Sequence, residues 1–455
     1  MRALKIGTAG VRGTIGGPFT VELAISFAQA FATYVQGGKI LVSRDTRRSG
    51  EMIASGVISG LLASGANVEY LGISPTPTLQ LLVRKRNANG GIAITGGHNP
   101  EHWNALKFIR PDGIYLNQKQ GEELLEVYHQ GEFKKAKWRS IRPLKFLEDA
   151  EADHIEILLG SFDIDAIRKQ RFRVAVDCSN GASSKLTPKL LKAAGCDVVV
   201  IHDKIKTPFP HEPQPNPQNM QALAALTKAV CADIGFAHDA DGERLGIVDE
   251  KGKAWSEEHT FAFCAYARLL DKPGTIITNV ATSMMVDEIA KKRKSKVIRV
   301  PIGQSFISEA LIKYNGVIGG EGSGGVALPE ILPSHDSHSA IMLILDFLAK
   351  TGMKASEVLE LLPETYMIKR KYHMEPRVAY TFLRNLRRRL EHKKEKGDTD
   401  FTDGILIKEK HGWIHFRASG TEPVLRVFIE GNTIESSRRL SKEADRLLQE
   451  GGIFA

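Results

Sequence analysis

Over the first three quarters of the chain, short apolar and β-branched runs alternate with segments whose apolar positions recur at helical spacing. Ile40 to Ser43 reads as a strand, about Glu51 to Ser64 as a helix, and Asn67 to Leu71 and Gly91 to Thr95 as strands. The pattern recurs with strands at Phe172 to Val176, Val198 to Val200 and Ile234 to His238, and a helix near Leu186 to Ala194. A third cycle has strands at Thr275 to Thr278, Lys296 to Val300 and Val317-Ile318. Its helices lie near Met284 to Lys292 and Phe306 to Tyr314. Such alternation predicts βαβ units and mostly parallel sheets.

The last quarter breaks the pattern. Tyr366 to Ile368 is strand-like, and a basic helix follows in which Val378, Phe382, Leu386 and Leu390 form one apolar stripe. Arg384, Arg387, Arg388, Arg389, Lys393 and Lys394 fall mostly on its other faces and read as a solvated surface. Strands at Ile405 to Ile407, Trp413 to Phe416 and Leu425 to Ile429 and a helix near Ser436 to Leu448 complete a small α+β unit. The expected fold is therefore α/β: three similar mixed α/β domains (1–148, 149–253 and 254–364) and a smaller C-terminal α+β domain (365–455) around one cleft.

Each α/β cycle ends in a strand that runs directly into an unusual loop: TGGHNP (95–100), HDADGER (238–244) and GGEGSGG (319–325). Ligands of open α/β sheets bind beyond the carboxyl ends of strands, so three such loops can face one cleft. In the second loop, Asp239, Asp241 and Glu243 stand at alternate positions. Three carboxylates in a tight turn repel one another and converge best on a hard cation. The twelve-residue spacing of an EF-hand is absent. Arg417-Ala418-Ser419-Gly420-Thr421-Glu422-Pro423, with Arg426 beyond it, offers a guanidinium, hydroxyls and backbone N–H groups, the donors that a phosphate dianion needs. Glu321 and Ser323 can accept from and donate to sugar hydroxyls, and Gly7 to Gly13 is a flexible turn carrying Arg12.

The formal net charge of +9 agrees with an anionic ligand. No helix-turn-helix, zinc-finger or RNA-binding signature accompanies it, so nucleic acid is not an expected partner. The amino terminus lacks a signal-peptide core. The longest apolar run, Ala340 to Ala349, is broken by Asp346 and is too short for a bilayer, which points to a cytoplasmic protein without membrane contact. Cys178, Cys196, Cys231 and Cys264 form no CxxC pair and are expected as buried free thiols.

Taken in order, GTAGVRG, TGGHNPEHWNALK, HDADGER, GEGSG and RASGTEP resemble the signature loops of the α-D-phosphohexomutase superfamily, the phosphoglucomutases, phosphomannomutases and phosphoglucosamine mutases. The resemblance runs the length of the chain, and RASGTEP is its most specific part. It implies interconversion of hexose 1-phosphate and 6-phosphate with Mg2+, through a phosphoserine and a hexose 1,6-bisphosphate. Asp239, Asp241 and Glu243 would hold the metal. Glu321 and Ser323 would read sugar hydroxyls, and Arg417, Ser419, Gly420, Thr421 and Arg426 would grip the distal phosphate. Arg12, His98, Lys107 and Arg244 would line the reacting end. The partner would be a phosphorylated hexose, and the protein a monomer or homodimer.

The departures limit the chemistry. Gly97 stands at the phosphoserine position and has no side chain to phosphorylate. Glu243 replaces an aspartate, moving the carboxylate by about 1.5 Å. Ala105 replaces a common glycine, and Gly325 a histidine found in many members. Pro333 to Ser337 matches the family's segment only at Asp336. Four accounts of Gly97 stand side by side. His98 or Thr95 replaces the acceptor, although adjacent side chains leave the backbone in different directions. The chain binds phosphosugar without turnover. The glycine is a mutation of an active enzyme. The reaction needs no phosphoserine, as in hydrolysis.

Overall fold

The computed structural model describes residues 5–7, 10–392, 399–419 and 423–453. Four sheets succeed one another along the chain and define three α/β domains and a C-terminal domain. The first sheet runs Lys5–Gly7, Gly10–Thr14, Trp103–Ile109, Gly90–Ile94, Lys39–Arg44, Asn67–Ile73, Lys145–Phe146. The second runs Leu245–Asp249, Ile234–His238, Arg173–Asp177, Asp197–Ile201, and the third Val297–Val300, Ile276–Asn279, Ile318–Glu321, Gly325–Ala327.

The expectation of mostly parallel sheets holds only for their centres. In each of these three domains the strand that ends in a signature loop is parallel to its inner neighbour and antiparallel to the strand that follows the loop. The reason is loop length. A parallel return needs a long crossover, whereas these short loops allow only a hairpin. Each candidate loop is therefore a tight reversal at a sheet's carboxyl edge.

The apolar pattern becomes the core. Phe27, Phe31, Ile40, Val42, Val57, Ile92 and Phe108 fill the first domain. The second and third domains share a continuous core that includes Val176, Phe236, Ile247, Trp255, Phe261 and Ile341. The apolar run around Ala340 lies in the helix Ser337–Thr351, buried along most of its length, as a helix apolar on all sides must be. Asp336 caps it, accepting from the N–H groups of His338 and Ser339. No helix among the described residues is long and apolar enough to cross a membrane.

The C-terminal sheet is ordered Tyr366–His373, Val424–Gly431, Gly412–Ala418, Ile405–Glu409, Thr399–Asp400. It docks on the third domain through charged side chains. Lys369 Nζ lies 3.0 Å from Glu257 and 2.8 Å from Glu258, and Glu430 accepts from the N–H of Met284 at 2.7 Å. Asp403 accepts from the N–H of Ile302 at 2.9 Å. On the helix Pro376–His392 the stripe is shifted from expectation. Val378 is exposed, and Ala379, Phe382 and Leu386 face the core, because a 3.6-residue turn carries a strict four-residue repeat off the buried face. Arg384, Arg387, Arg388 and Arg389 are exposed, while Lys393 and Lys394 lie outside the described residues. All four cysteines are free, but Cys231 is exposed, on the turn after the helix Gln221–Ala229.

Candidate active site

The loop after Gly90–Ile94 is held from beneath by an ion pair that the sequence reading did not single out. Arg47, fully buried, pairs with Asp45 at 2.9 Å. Its remaining N–H groups donate to the carbonyls of Gly97 and Pro100 at 2.6 Å and of Asn99 at 2.7 Å. Thr95 donates its hydroxyl to Asp45 at 2.7 Å and accepts the N–H of Gly97 at 2.9 Å. Its oxygen is thus committed to holding the loop. The signal was available: SRDTRRSG (43–50) also follows the carboxyl end of a parallel strand.

Gly97 sits with φ +55°, in the left-handed region that favours glycine. A β-carbon there would lie 3.8 Å from Lys107 Nζ and 3.9 Å from Asp241 Oδ1. The direction in which position 97 projects is therefore open and faces the carboxylate loop. Lys107 donates to Asp241 at 2.7 Å and to Glu243 at 2.6 Å. Burial opposes its charge, but Asp241 and Glu243 outweigh that and raise the ammonium above its ordinary range.

Asp239, Asp241 and Glu243 are all buried. Asp239 Oδ1 accepts the backbone N–H groups of Glu243 at 2.9 Å and Arg244 at 3.1 Å, which shapes the turn. Asp241 accepts from Thr76 at 3.0 Å, and Glu243 from the Tyr115 hydroxyl. Burial, then the charge of Asp241, pushes the Asp239 carboxyl well above the usual carboxylate range. Burial pushes Asp241 the same way, but Lys107 overcomes it and the carboxyl is lowered. Asp241 Oδ1 is buried and has no hydrogen-bond partner among the described residues.

Those features fit a cation. Three carboxylates face one ammonium, an oxygen of Asp241 is left unsatisfied, and an all-oxygen donor set suits Mg2+. The three carboxylates are not among the described triads whose ligand atoms lie within 4.8 Å of one another. Lys107 occupies the space between Asp241 and Glu243.

His98 is half-buried, and charges from three domains bear on it. Burial, then Arg244, Arg12, Lys107 and Arg426, holds its imidazole well below the ordinary histidine range. It is neutral near pH 7 and surrounded by cations. Arg244 reaches the third domain, with its guanidinium 3.9 Å from Glu321. Glu321 accepts from Asn279 at 3.1 Å and from the Ser323 hydroxyl. Burial raises the Glu321 carboxyl, but His335 and Arg244 prevail and lower it.

His335 was also missed by the sequence reading. A β-carbon on Gly325 would fall 2.4 Å from its Nδ1, so the imidazole of residue 335 occupies the space a side chain at 325 would take. Within RASGTEP, Arg417 is turned to Asp403 at 2.9 Å, and its strand pairs it with Arg426. Ser419 is buried, and its N–H donates to Val424. Gly420 and Thr421, like Thr8 and Ala9 of the amino-terminal turn, lie outside the described residues.

Comparison with known proteins gives a consistent assignment. Four family descriptions match in succession: Phosphoglucomutase/phosphomannomutase, alpha/beta/alpha domain I over residues 3–135, domain II over 152–252, domain III over 256–366, and the C-terminal domain over 377–447. A phosphoglucomutase/phosphomannomutase of Thermococcus kodakarensis is 38% identical over 452 residues, covering 98% of both chains. A probable phosphoglucosamine mutase of Pyrococcus abyssi is 31% identical over 449 residues, covering 98% of this chain and 97% of that one. Among solved structures, a phosphoglucomutase/phosphomannomutase family protein of Burkholderia thailandensis superposes with a TM-score of 0.85 at 25% identity, covering 98% of this chain and 97% of that one. The chain therefore belongs to the phosphoglucomutase/phosphomannomutase family, the hexose-phosphate mutases, which are intramolecular phosphotransferases of the isomerase class.

Proposed function

We propose that the chain interconverts hexose 1-phosphate and hexose 6-phosphate through a hexose 1,6-bisphosphate, with His98 carrying the phosphoryl group that Gly97 cannot. The observation that carries this reading is the neutral His98 imidazole among Arg12, Lys107, Arg244 and Arg426. The free hydroxyl of a bound hexose phosphate attacks the phosphoryl group on His98, and the P–N bond breaks as a P–O bond forms, which gives the bisphosphate. After the bisphosphate turns round, the freed imidazole attacks its other phosphorus, a P–N bond forms as that P–O bond breaks, and the leaving sugar oxygen takes back the proton that the hydroxyl gave up in the first half. Arg12, Lys107 and Arg244, preset around the transferring group, stabilise its charge without reorganisation. Thr95 is a poorer candidate because its hydroxyl already bonds Asp45.

In this reading Asp239, Asp241 and Glu243 hold Mg2+, which when bound spreads the phosphoryl charge. Glu321 and Ser323 select sugar hydroxyls. Arg417, Ser419, Gly420, Thr421 and Arg426 hold the phosphate that does not react. The working units are 1–148, 149–253, 254–364 and 365–455. A cytoplasmic location suits this reading, because sugar phosphates do not cross bilayers.

A second reading, phosphosugar binding without turnover, is favoured by the φ of +55° at Gly97, a conformation in which serine is strained. One experiment separates the two. Wild type, His98→Gln and Gly97→Ser are assayed with glucose, mannose and glucosamine phosphates, Mg2+ and catalytic bisphosphate, with intact mass recorded at neutral and acid pH. Turnover and an acid-labile phosphoryl adduct, both lost in His98→Gln, support the first reading. Ligand-dependent melting shifts without turnover in wild type support the second. Turnover undiminished in His98→Gln sinks the histidine carrier.

A further inference from the structure

One strand over from the carboxylate loop, the second domain carries another cluster of ligand-type side chains. Asp177 ends the strand Arg173–Asp177, His202 follows the strand Asp197–Ile201, and His211 comes from the loop beyond. Asp177 Oδ2 lies 3.0 Å from His202 Nδ1 and 3.1 Å from His211 Nε2, and the three ligand atoms lie within 4.8 Å of one another. Two ligands at about 2.0–2.1 Å from a tetrahedral zinc ion stand about 3.3 Å apart. The side chains thus need little movement to close on an ion.

The tautomer is set by geometry. His211 Nδ1 lies 2.8 Å from the carbonyl oxygen of Glu212, which only accepts, so Nδ1 carries the hydrogen. Nε2 is thus the nitrogen turned to the Asp177 carboxylate oxygen, at 3.1 Å, where both can be donor atoms to one ion. A backbone carbonyl fixing the far nitrogen is also how proteins commonly orient a metal-binding histidine. Asp177 is fully buried, and its other oxygen is held by the N–H of Ser179 at 2.8 Å, so Oδ2 is set toward the two rings. The backbone is bent to bring these groups together, with φ of +50°, +51° and +52° at Ser179, Asn180 and His202.

Access separates this cluster from the other described triad, His154, Asp336 and His338. There every side chain is buried, and Asp336 is occupied by the helix-cap donors of His338 and Ser339 as well as by both imidazoles. That triad is a hydrogen-bonded junction. At Asp177 the His202 and His211 side chains are 28% and 17% exposed, so an ion can enter and keep a water ligand.

We propose that Asp177, His202 and His211 bind a zinc-class divalent ion, separate from the Mg2+ loop, that braces the segment between the two histidines. Two imidazoles and one carboxylate suit Zn2+ or Co2+ over Mg2+. The braced segment bears on the phosphoryl loop. Asn180 donates to the carbonyl of Pro208 at 2.7 Å, and the Phe209 ring covers Arg47, the clamp of the Gly97 loop, at 4.9 Å.

The test uses the full chain, stripped by chelator and dialysed against Zn2+ with Mg2+ in large excess to hold the carboxylate loop. One equivalent of Zn2+ is expected by elemental analysis, with a rise in melting temperature. Co2+ should give the visible absorption of a four-coordinate ion. His211→Gln should weaken Zn2+ binding by more than the roughly 10–100-fold typical of losing an outer-shell partner. Glu243→Gln should retain it. If His211→Gln does not fold, the half-exposed His202→Asn reads the same loss. Binding of less than one equivalent at micromolar Zn2+, or equal binding by wild type and the histidine variants, overturns the proposal.

Discussion

Gly97 and Arg47 are two halves of one arrangement. The left-handed turn at Gly97 lets the loop present its carbonyls downward, and Arg47 collects three of them. Removing Arg47 leaves Asp45 as a buried carboxylate whose pKa burial already raises. Arg47→Ala should destabilise by about 3–5 kcal/mol, the usual cost of an orphaned buried charge. Denaturant melts should show part of that loss recovered when Asp45→Asn is added, and full additivity would refute the pairing. Gly97→Ser has room for its hydroxyl but should cost about 1–2 kcal/mol for placing an L-residue at φ +55°. A variant as stable as wild type would show that the loop relaxes. At this scale the sequence disclosed which chemical groups are present, but not which are occupied. Thr95 looks like an acceptor in TGGHNP and proves to be a strut.

At the scale of elements, the GEGSG loop rests on the junction with the C-terminal domain. A side chain on Gly322 would run into Glu258, the carboxylate that Lys369 reaches from the next domain. Burial, despite Lys369, raises Glu258 from 4.5 to about 7. The sign follows from linkage. The folded state keeps a proton that the unfolded state has lost, so this contribution to stability is full below pH 4.5 and is lost as pH rises through about 7. Glu258→Gln should remove that component, and its stability should change less than that of wild type across this window in denaturant melts at stepped pH. A variant with the wild-type slope would assign the dependence to other groups. Likewise, Gly325→Ala must displace His335 and should cost about 1–3 kcal/mol of overpacking, read as a lower melting temperature. The strands at the loops were legible because their apolar runs are short and end in glycine or charge. The antiparallel edges were not, since a period-two pattern does not specify the direction of a neighbour.

For the whole molecule, Arg12 and Lys107 from the first domain, Arg244 from the second and Arg426 from the fourth bear on one imidazole, and Arg244 also meets Glu321 of the third. A ligand with two phosphate groups there should draw the domains together. Glucose 1,6-bisphosphate at a hundredfold excess over its dissociation constant should stabilise the chain by about 2.7 kcal/mol. The shift in melting temperature should shrink as salt screens the exposed part of the field. A shift independent of salt would point to contacts other than these cations.

The order of strands, the loops and their residue types follow from local periodicity and composition, so the sequence alone determined the family's architecture and which loops are candidates to bind phosphate, sugar and cation. It also determined that residue 97 carries no nucleophile. Only the tertiary structure decided that Lys107 fills the gap between Asp241 and Glu243, that Arg47 supports the loop, and that His335 occupies the space beside Gly325. Those relations join residues distant along the chain, and burial, which sets the charge on each, exists only once the domains have closed around them.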